Sequence, residues 1–349
     1  MTVETHNYPT PAGEITLIRL INNHGAAVTL SSLGAGIIAV EVPDRHGKIE
    51  NIALSYENPA DYLGDGPCMG KIPGRYANRI AKGELEVDGK DYRLAVNCGP
   101  HHLHGGPQGF QNKIWNTELL SNGVRFTLFS PDGDENYPGN LRVAAEYRWN
   151  DEDDLSLTLH AECDAASVIN LTNHTYWNLN GADSGSALDH LLRINAPQWL
   201  PTDDTLIPTG EMQPVEGTPM DFLDFHAVGE RINADFRPLK IGKGYDHCWV
   251  LNPDDESCLL MRDAIVLKSE KSGRSLHIDT DQPGVQIYSG NWLDGCPKNV
   301  SGRTYADYDG IAIEAQGLPD APHQPSFPSQ RIDPEHPYTR TIIFRFRTL

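Results

Sequence analysis

Residues 141–163 read LRVAAEYRWNDEDDLSLTLHAEC, two runs in which apolar and polar side chains alternate strictly. Leu141, Val143, Ala145, Tyr147 and Trp149 fall on one face of the first run; Leu155, Leu157, Leu159, Ala161 and Cys163 fall on one face of the second. Side chains alternate sides only in an extended strand, so the pair predicts an antiparallel hairpin closed by the polar NDEDD. The same period recurs in GVRFTLF (123–129), GVQIYSG (284–290) and TIIFRFR (341–347). No long window carries the 3.6-residue period of a helix; only ENPADYL, with Asn58 as N-cap and Pro59 at the first helical position, predicts a short helical turn. The 32 glycines and 25 prolines punctuate the chain at short intervals, as turns between many strands require. Six prolines between residues 317 and 340 predict an ordered surface loop before the last strand, with too little chain after it for another domain. No repeat in the range of roughly 20–50 residues is visible, which disfavours a propeller or solenoid. The expectation is an all-β protein, a large antiparallel β-sandwich with few short helices, occupying residues 1–349 as a single domain.

Charge narrows the partners. With 28 basic against 48 acidic residues and a net charge of −20, the chain repels phosphate backbones and anionic lipid heads, so neither nucleic acid nor membrane is an expected partner. No apolar run approaches the roughly 18 residues that span a bilayer, and MTVETHNYPTPAG lacks the basic and apolar segments of a secretory leader. A soluble, cytoplasmic protein, monomeric or a homodimer, is expected. The six cysteines contain no C-x-x-C pair and read as reduced thiols packed as small hydrophobes. The N-x-S/T triplets at Asn170, Asn173 and Asn299 read as chance.

Five stretches could carry chemistry. In GIAIEAQG (310–317), alternation sets Glu314 on the face opposite Ile311 and Ile313, either wet surface or the wall of a cavity. In VINLTNHTYWNLNG (168–181), a strand reading puts Asn170, Thr172, His174, Tyr176 and Asn178 on one face, a row of uncharged hydrogen-bonding groups suited to sugar hydroxyls. In GPHHLHGGPQGF (99–110), His102 and His104 share a side if the segment is extended, and Gly105 and Gly106 permit close approach of a ligand. An H-x-H pair can hold a metal, although this stretch supplies no third or fourth ligand; structural or proton-transfer histidines are the alternatives. IPGRYANRIAKG (72–83) is a basic island whose Arg79 could neutralise a buried carboxylate or grip substrate oxygens. GKGYDHCWV (242–250) joins Asp246 to His247 without a nucleotide-binding glycine pattern; Asp246 alone could equally be a turn residue. No G-x-S-x-G, H-E-x-x-H or G-K-[ST] motif is present. A carboxylate with histidines is what recurs, and that is acid–base equipment.

Taken in order, GRYANRIAKG, HHLHGGPQGF, DGDENYPGNL, LTNHTYWNLNG, GYDHCWV, GVQIYSGN and GIAIEAQGLPDAPHQPSFP resemble the aldose 1-epimerase (galactose mutarotase) family, over a span from about residue 13 to the last strand. The resemblance implies a large antiparallel β-sandwich that works without metal or organic cofactor on a free sugar. It implies Glu314 as general base, His174 as general acid, and His104 as a hydrogen-bonding group at the ring oxygen. Asn78 and Arg79 would hold sugar oxygens; Asp246 and Gln286 would orient further hydroxyls. The chain departs from the family pattern with Gln111 where aspartate is frequent, Asn136 where glycine is usual, and Ala315 at a place often polar.

Interconverting anomers needs a proton taken from the anomeric hydroxyl while another is given to the ring oxygen, and the resemblance sets Glu314 and His174 on opposite sides of that unit. Three rivals stay open: a sugar-binding module without catalysis, a cupin-like metal isomerase using His102 and His104, and a mutarotase for pentoses or sugar phosphates.

Overall fold

The computed structural model describes residues 1–251 and 259–348. The hairpin forms as read: Leu141–Trp149 pairs antiparallel with Asp154–Cys163, in a register that sets Leu141 opposite Cys163 and Trp149 opposite Leu155. These strands belong to a nine-stranded sheet in the order Asn116–Leu120, Gly123–Ser130, Leu141–Trp149, Asp154–Cys163, Tyr338–Thr348, Arg274–Thr280, Met261–Lys268, Leu191–Ile194, His226–Ala227. The last strand of the chain therefore lies in the middle of the sheet, between two strands far from it in sequence. A six-stranded sheet runs Tyr176–Trp177, Ile311–Gln316, Gly284–Tyr288, Asp246–Val250, Gln198–Trp199, Gln213–Pro214. A five-stranded sheet is built from the first 51 residues. All pairings within these sheets are antiparallel, as expected.

The core lies between the nine- and six-stranded sheets. Trp177 of the smaller sheet meets Phe344 and Phe346 of the larger, each at 5.6 Å between ring centroids, and Trp149 packs on Phe346. One buried apolar cluster runs from Ile18 to Phe346. Among the described residues helix is scarce: the Asn58 side chain accepts from the Ala60 N–H and caps a 3₁₀ turn at Pro59–Tyr62, and one α-helix spans Arg237–Gly242. Among the described residues no helix is long and apolar enough to cross a membrane. Cys68, Cys98, Cys163, Cys248 and Cys296 are free, while Cys258 falls outside the described residues.

The stretch 168–181 is not one strand. Only Ser167–Val168 and Tyr176–Trp177 are extended in ladders, and the segment between them is irregular and buried. Buried irregular backbone must find partners outside a ladder, and the polar side chains supply them. Asn170 donates to the Ala77 and Gly317 carbonyls, Thr172 to Ala315 O, Asn173 to Gly70 O, and Asn178 to Asp309 O. Most of the supposed sugar-facing row is internal scaffolding.

Candidate active site

The six-stranded sheet has two unlike faces. Ile311, Ile313 and Ala315 turn inward with Val285, Ile287 and Trp249 into the core. On the other face Tyr176, Ala312, Tyr288 and Asp246 form one row across the strands, and Glu314, Gln286 and Cys248 the next. Glu314 is 2% exposed, so its face is a cavity wall and not wet surface. The cavity holds about 440 Å³ and is lined by Asn78, Arg79, His104, His174, Asp246 and Glu314, together with Tyr176 and Tyr288. Of the seven residues expected at the site, six line it directly. The seventh, Gln286, sits just behind, its Nε2 donating to Asp246 Oδ1 at 2.7 Å.

Loops and short ladders deliver the remaining groups to this face. The Arg79–Ile80 strand pairs with His102–Leu103, and the chain then turns left-handed at His104 (φ 52°). The turn means that His102 and His104 do not share a side. His102 is a buried structural residue, donating from Nδ1 to Ala95 O and meeting the Tyr137 hydroxyl at Nε2. His101 bonds Thr205. Gly105 serves the fold: a methyl group there would sit 1.8 Å from Gly74 O, so the close approach is to the protein's own backbone. Arg75, the other arginine of the basic island, is spent on Ser130, Pro131 and Pro138. Backbone bonds from His174 N to Lys71 O and from Gly70 N to His174 O, both 2.9 Å, clamp His174 in place.

His174 Nε2 lies 3.5 Å from Glu314 Oε1. The acid and base expected to serve the C1–O5 unit are thus brought to one cavity. Burial, reinforced by the negative charge of Asp246 and opposed by Arg79, raises the Glu314 carboxyl well above the usual carboxylate range. Burial also pushes His174 down to about 4. A carboxyl that resists ionising beside an imidazole that resists charging gives a pair holding one proton and no net charge around neutrality. Glu314 Oε2, His174 Nδ1 and Gln286 Oε1 are buried without a protein partner. Such atoms await hydrogen bonds from something that enters the cavity. Arg79 Nη2 approaches Asp246 Oδ2 at 3.3 Å, so a guanidinium and a carboxylate stand side by side with donors and acceptors for neutral hydroxyls.

His104, His174 and Glu314 also have metal-donor spacing, their ligand atoms all lying within 4.8 Å of one another. His104 Nδ1, however, accepts the Asn78 N–H at 3.1 Å. The departures from the family pattern fall away from the reacting groups: Asn136 holds φ 68°, a conformation that glycine adopts freely and Asn tolerates, and Ala315 faces the core. Gln111 is buried with Nε2 on Gly106 O. Sequence reasoning missed Tyr288, Trp292, Leu206 and Pro67 as lining residues. Tyr288 had a usable signal, standing two residues after Gln286 on the same strand face. The others come from loops with no periodicity to read.

The aldose 1-epimerase family model matches residues 16–345. The chain is 42% identical to galactose mutarotase of Homo sapiens over 319 residues, 91% of this chain and 90% of that protein. It is 36% identical to aldose 1-epimerase of Escherichia coli (strain K12) over 333 residues, 95% of this chain and 94% of that one. Among solved structures, galactose 1-epimerase from Lactobacillus acidophilus NCFM superposes with a TM-score of 0.85 at 29% identity, covering 100% of this chain and 99% of that chain. An aldose epimerase homologue from C. elegans gives 0.86 at 30% identity, covering 95% and 99%. Matched by the family model along nearly its full length, and by relatives that share more than a third of its residues over the same span, this chain belongs to the aldose 1-epimerase family.

Proposed function

We propose that this protein is a mutarotase that interconverts the α and β anomers of free aldohexoses, galactose and glucose among them. The contact between Glu314 and His174 carries the reading, since two adjacent groups holding one proton match two oxygens, O1 and O5, bonded to the same carbon. Glu314 takes the proton of the anomeric hydroxyl while His174 gives one to the ring oxygen. The C1–O5 bond breaks, leaving an aldehyde at C1 and a hydroxyl at C5. Rotation about C1–C2 presents the other aldehyde face, and closure returns both protons to their origins. Hydroxyl donors meeting Glu314 Oε2 favour its carboxylate form on binding and move the shared proton to His174. Acid–base assistance of this kind is worth roughly 10²–10⁴-fold, and holding the sugar in place adds to it. Arg79, Asn78, Asp246 and Gln286 orient the remaining hydroxyls, and His104 hydrogen-bonds at the ring oxygen. The names of the relatives, galactose mutarotase and aldose 1-epimerase, support the same activity.

On this reading residues 1–349 act as one domain, supported by the continuous apolar cluster from Ile18 to Phe346. The free thiols fit work in a reducing cytoplasm. The test is polarimetry on freshly dissolved α-D-glucose, α-D-galactose, xylose and arabinose, with Glu314→Gln as control. Accelerated decay of rotation for the hexoses, lost in the variant, is expected. Saturable sugar binding with no acceleration would make the protein a binding module instead.

A further inference from the structure

We propose that the backbone of Asn78 locks His104 into the tautomer with its proton on Nε2. That makes His104 a fixed hydrogen-bond donor and leaves His174, of the two cavity imidazoles, as the one free to gain and lose a proton. The consequence for catalysis rests on the mutarotase reading; the tautomer itself does not.

A neutral imidazole has one donor nitrogen and one acceptor nitrogen, and its partners decide which is which. The Asn78 N–H points at His104 Nδ1 from 3.1 Å. A backbone N–H can only donate, so Nδ1 carries the lone pair and the proton is on Nε2. The backbone turn at Asn78 and two further bonds hold this arrangement. Asn78 stands in the left-handed region at φ 64°, which turns its amide toward the ring. Its carbonyl accepts the His104 N–H at 3.0 Å, and its Oδ1 accepts the Arg79 N–H at 2.8 Å. Moving a proton onto Nδ1 would set two donors against each other at a half-buried position, where the Asn78 N–H would lose its acceptor.

Two consequences follow. His104 cannot become an imidazolium without breaking the Asn78 bond, so its Nε2–H can donate to a substrate oxygen yet cannot be surrendered as an acid proton near neutrality. Nor can Nε2 offer a lone pair to a metal unless the proton moves to Nδ1, against the same N–H. The neighbouring His102 shows that the tautomer is set locally: its Nδ1 faces the Ala95 carbonyl, so its proton is on Nδ1. His174 has no such restraint, with Nδ1 unpartnered and Nε2 facing Glu314. Asn78 is therefore a positioning residue acting through His104, in addition to offering its side chain to the cavity.

The test is ¹⁵N NMR of the free protein labelled at histidine, with the His104 signals assigned by difference against His104→Gln. A protonated Nε2 and an unprotonated Nδ1, unchanged over about pH 5 to 9, are expected. An Nδ1–H tautomer, or titration to imidazolium in that range, overturns the lock. Kinetics give an independent check, since the Gln side chain also offers an N–H but cannot titrate. His104→Gln should lose activity without moving either limb of its pH profile, and by less than His174→Gln, which loses about 10²–10⁴-fold. Equal losses in the two variants would also overturn the proposal, as would stoichiometric Zn²⁺ retained by the wild type and not by His104→Gln. Because the spectrum needs no turnover, it stays decisive even if polarimetry shows no mutarotation.

Discussion

His174 and Glu314 meet at 3.5 Å from two different structural sources, one an irregular buried segment and the other the most buried strand of the smaller sheet. The strand fixes the carboxyl by its ladder to Gly284–Tyr288; the segment is fixed by backbone bonds to Gly70 and Lys71.

Removing the carboxylate should separate function from stability. Glu314→Gln is expected to lower kcat by about 10²–10⁴-fold in polarimetry. A carboxyl whose ionisation is opposed by burial contributes nothing to the fold at neutral pH in its charged form, so the isosteric amide should melt at or above the wild-type temperature. A clearly lower melting temperature would show that the carboxyl is a structural residue.

Activity should depend little on pH around neutrality. The working form of the pair holds one proton. As pH falls through about 4, His174 takes up a second, and the acid limb should lie there. As pH rises, the raised Glu314 carboxyl loses the proton the pair needs, and the alkaline limb reports that group. These limbs belong to the free enzyme and are read from kcat/KM, and a kcat/KM profile with an acid midpoint near 6.5, the ordinary histidine value, would contradict the assignment.

Asp246→Asn provides a directional check. The negative charge of Asp246 helps to raise Glu314, so its removal should lower that carboxyl and move the alkaline limb to lower pH. The same variant disturbs the bonds from Gln286 and Arg79, so KM should rise. An alkaline limb that stays in place would mean that it belongs to another group.

Stability should fall in mild acid for a reason apart from catalysis. Burial pushes both His102 and His247 down to about 4. Between that value and about 6.5 the unfolded chain binds more protons than the folded one, so the contribution is complete above about 6.5 and is lost as pH falls toward 4. Each histidine accounts for on the order of 3 kcal/mol across that window. Urea denaturation at pH 7 and near pH 4.5 measures the difference, and replacing His247 with a residue that cannot titrate should shrink it. Equal stability at the two pH values would refute the burial argument.

Strand alternation marked the hairpin at 141–163 and the orientation of Glu314 against Ile311 and Ile313, and the Asn58–Pro59 pair marked the capped turn, because each depends on residues adjacent along the chain. The motifs named the residues that gather at the cavity. Sequence by itself could not show that Asn170, Thr172 and Asn173 serve carbonyls, that a left-handed turn at His104 parts it from His102, or that Tyr338–Thr348 enters the middle of a sheet. Those outcomes depend on partners contributed by remote segments. A side chain's period announces which way it points, but whether it meets water, a carbonyl or another acid is decided only when distant strands close around it.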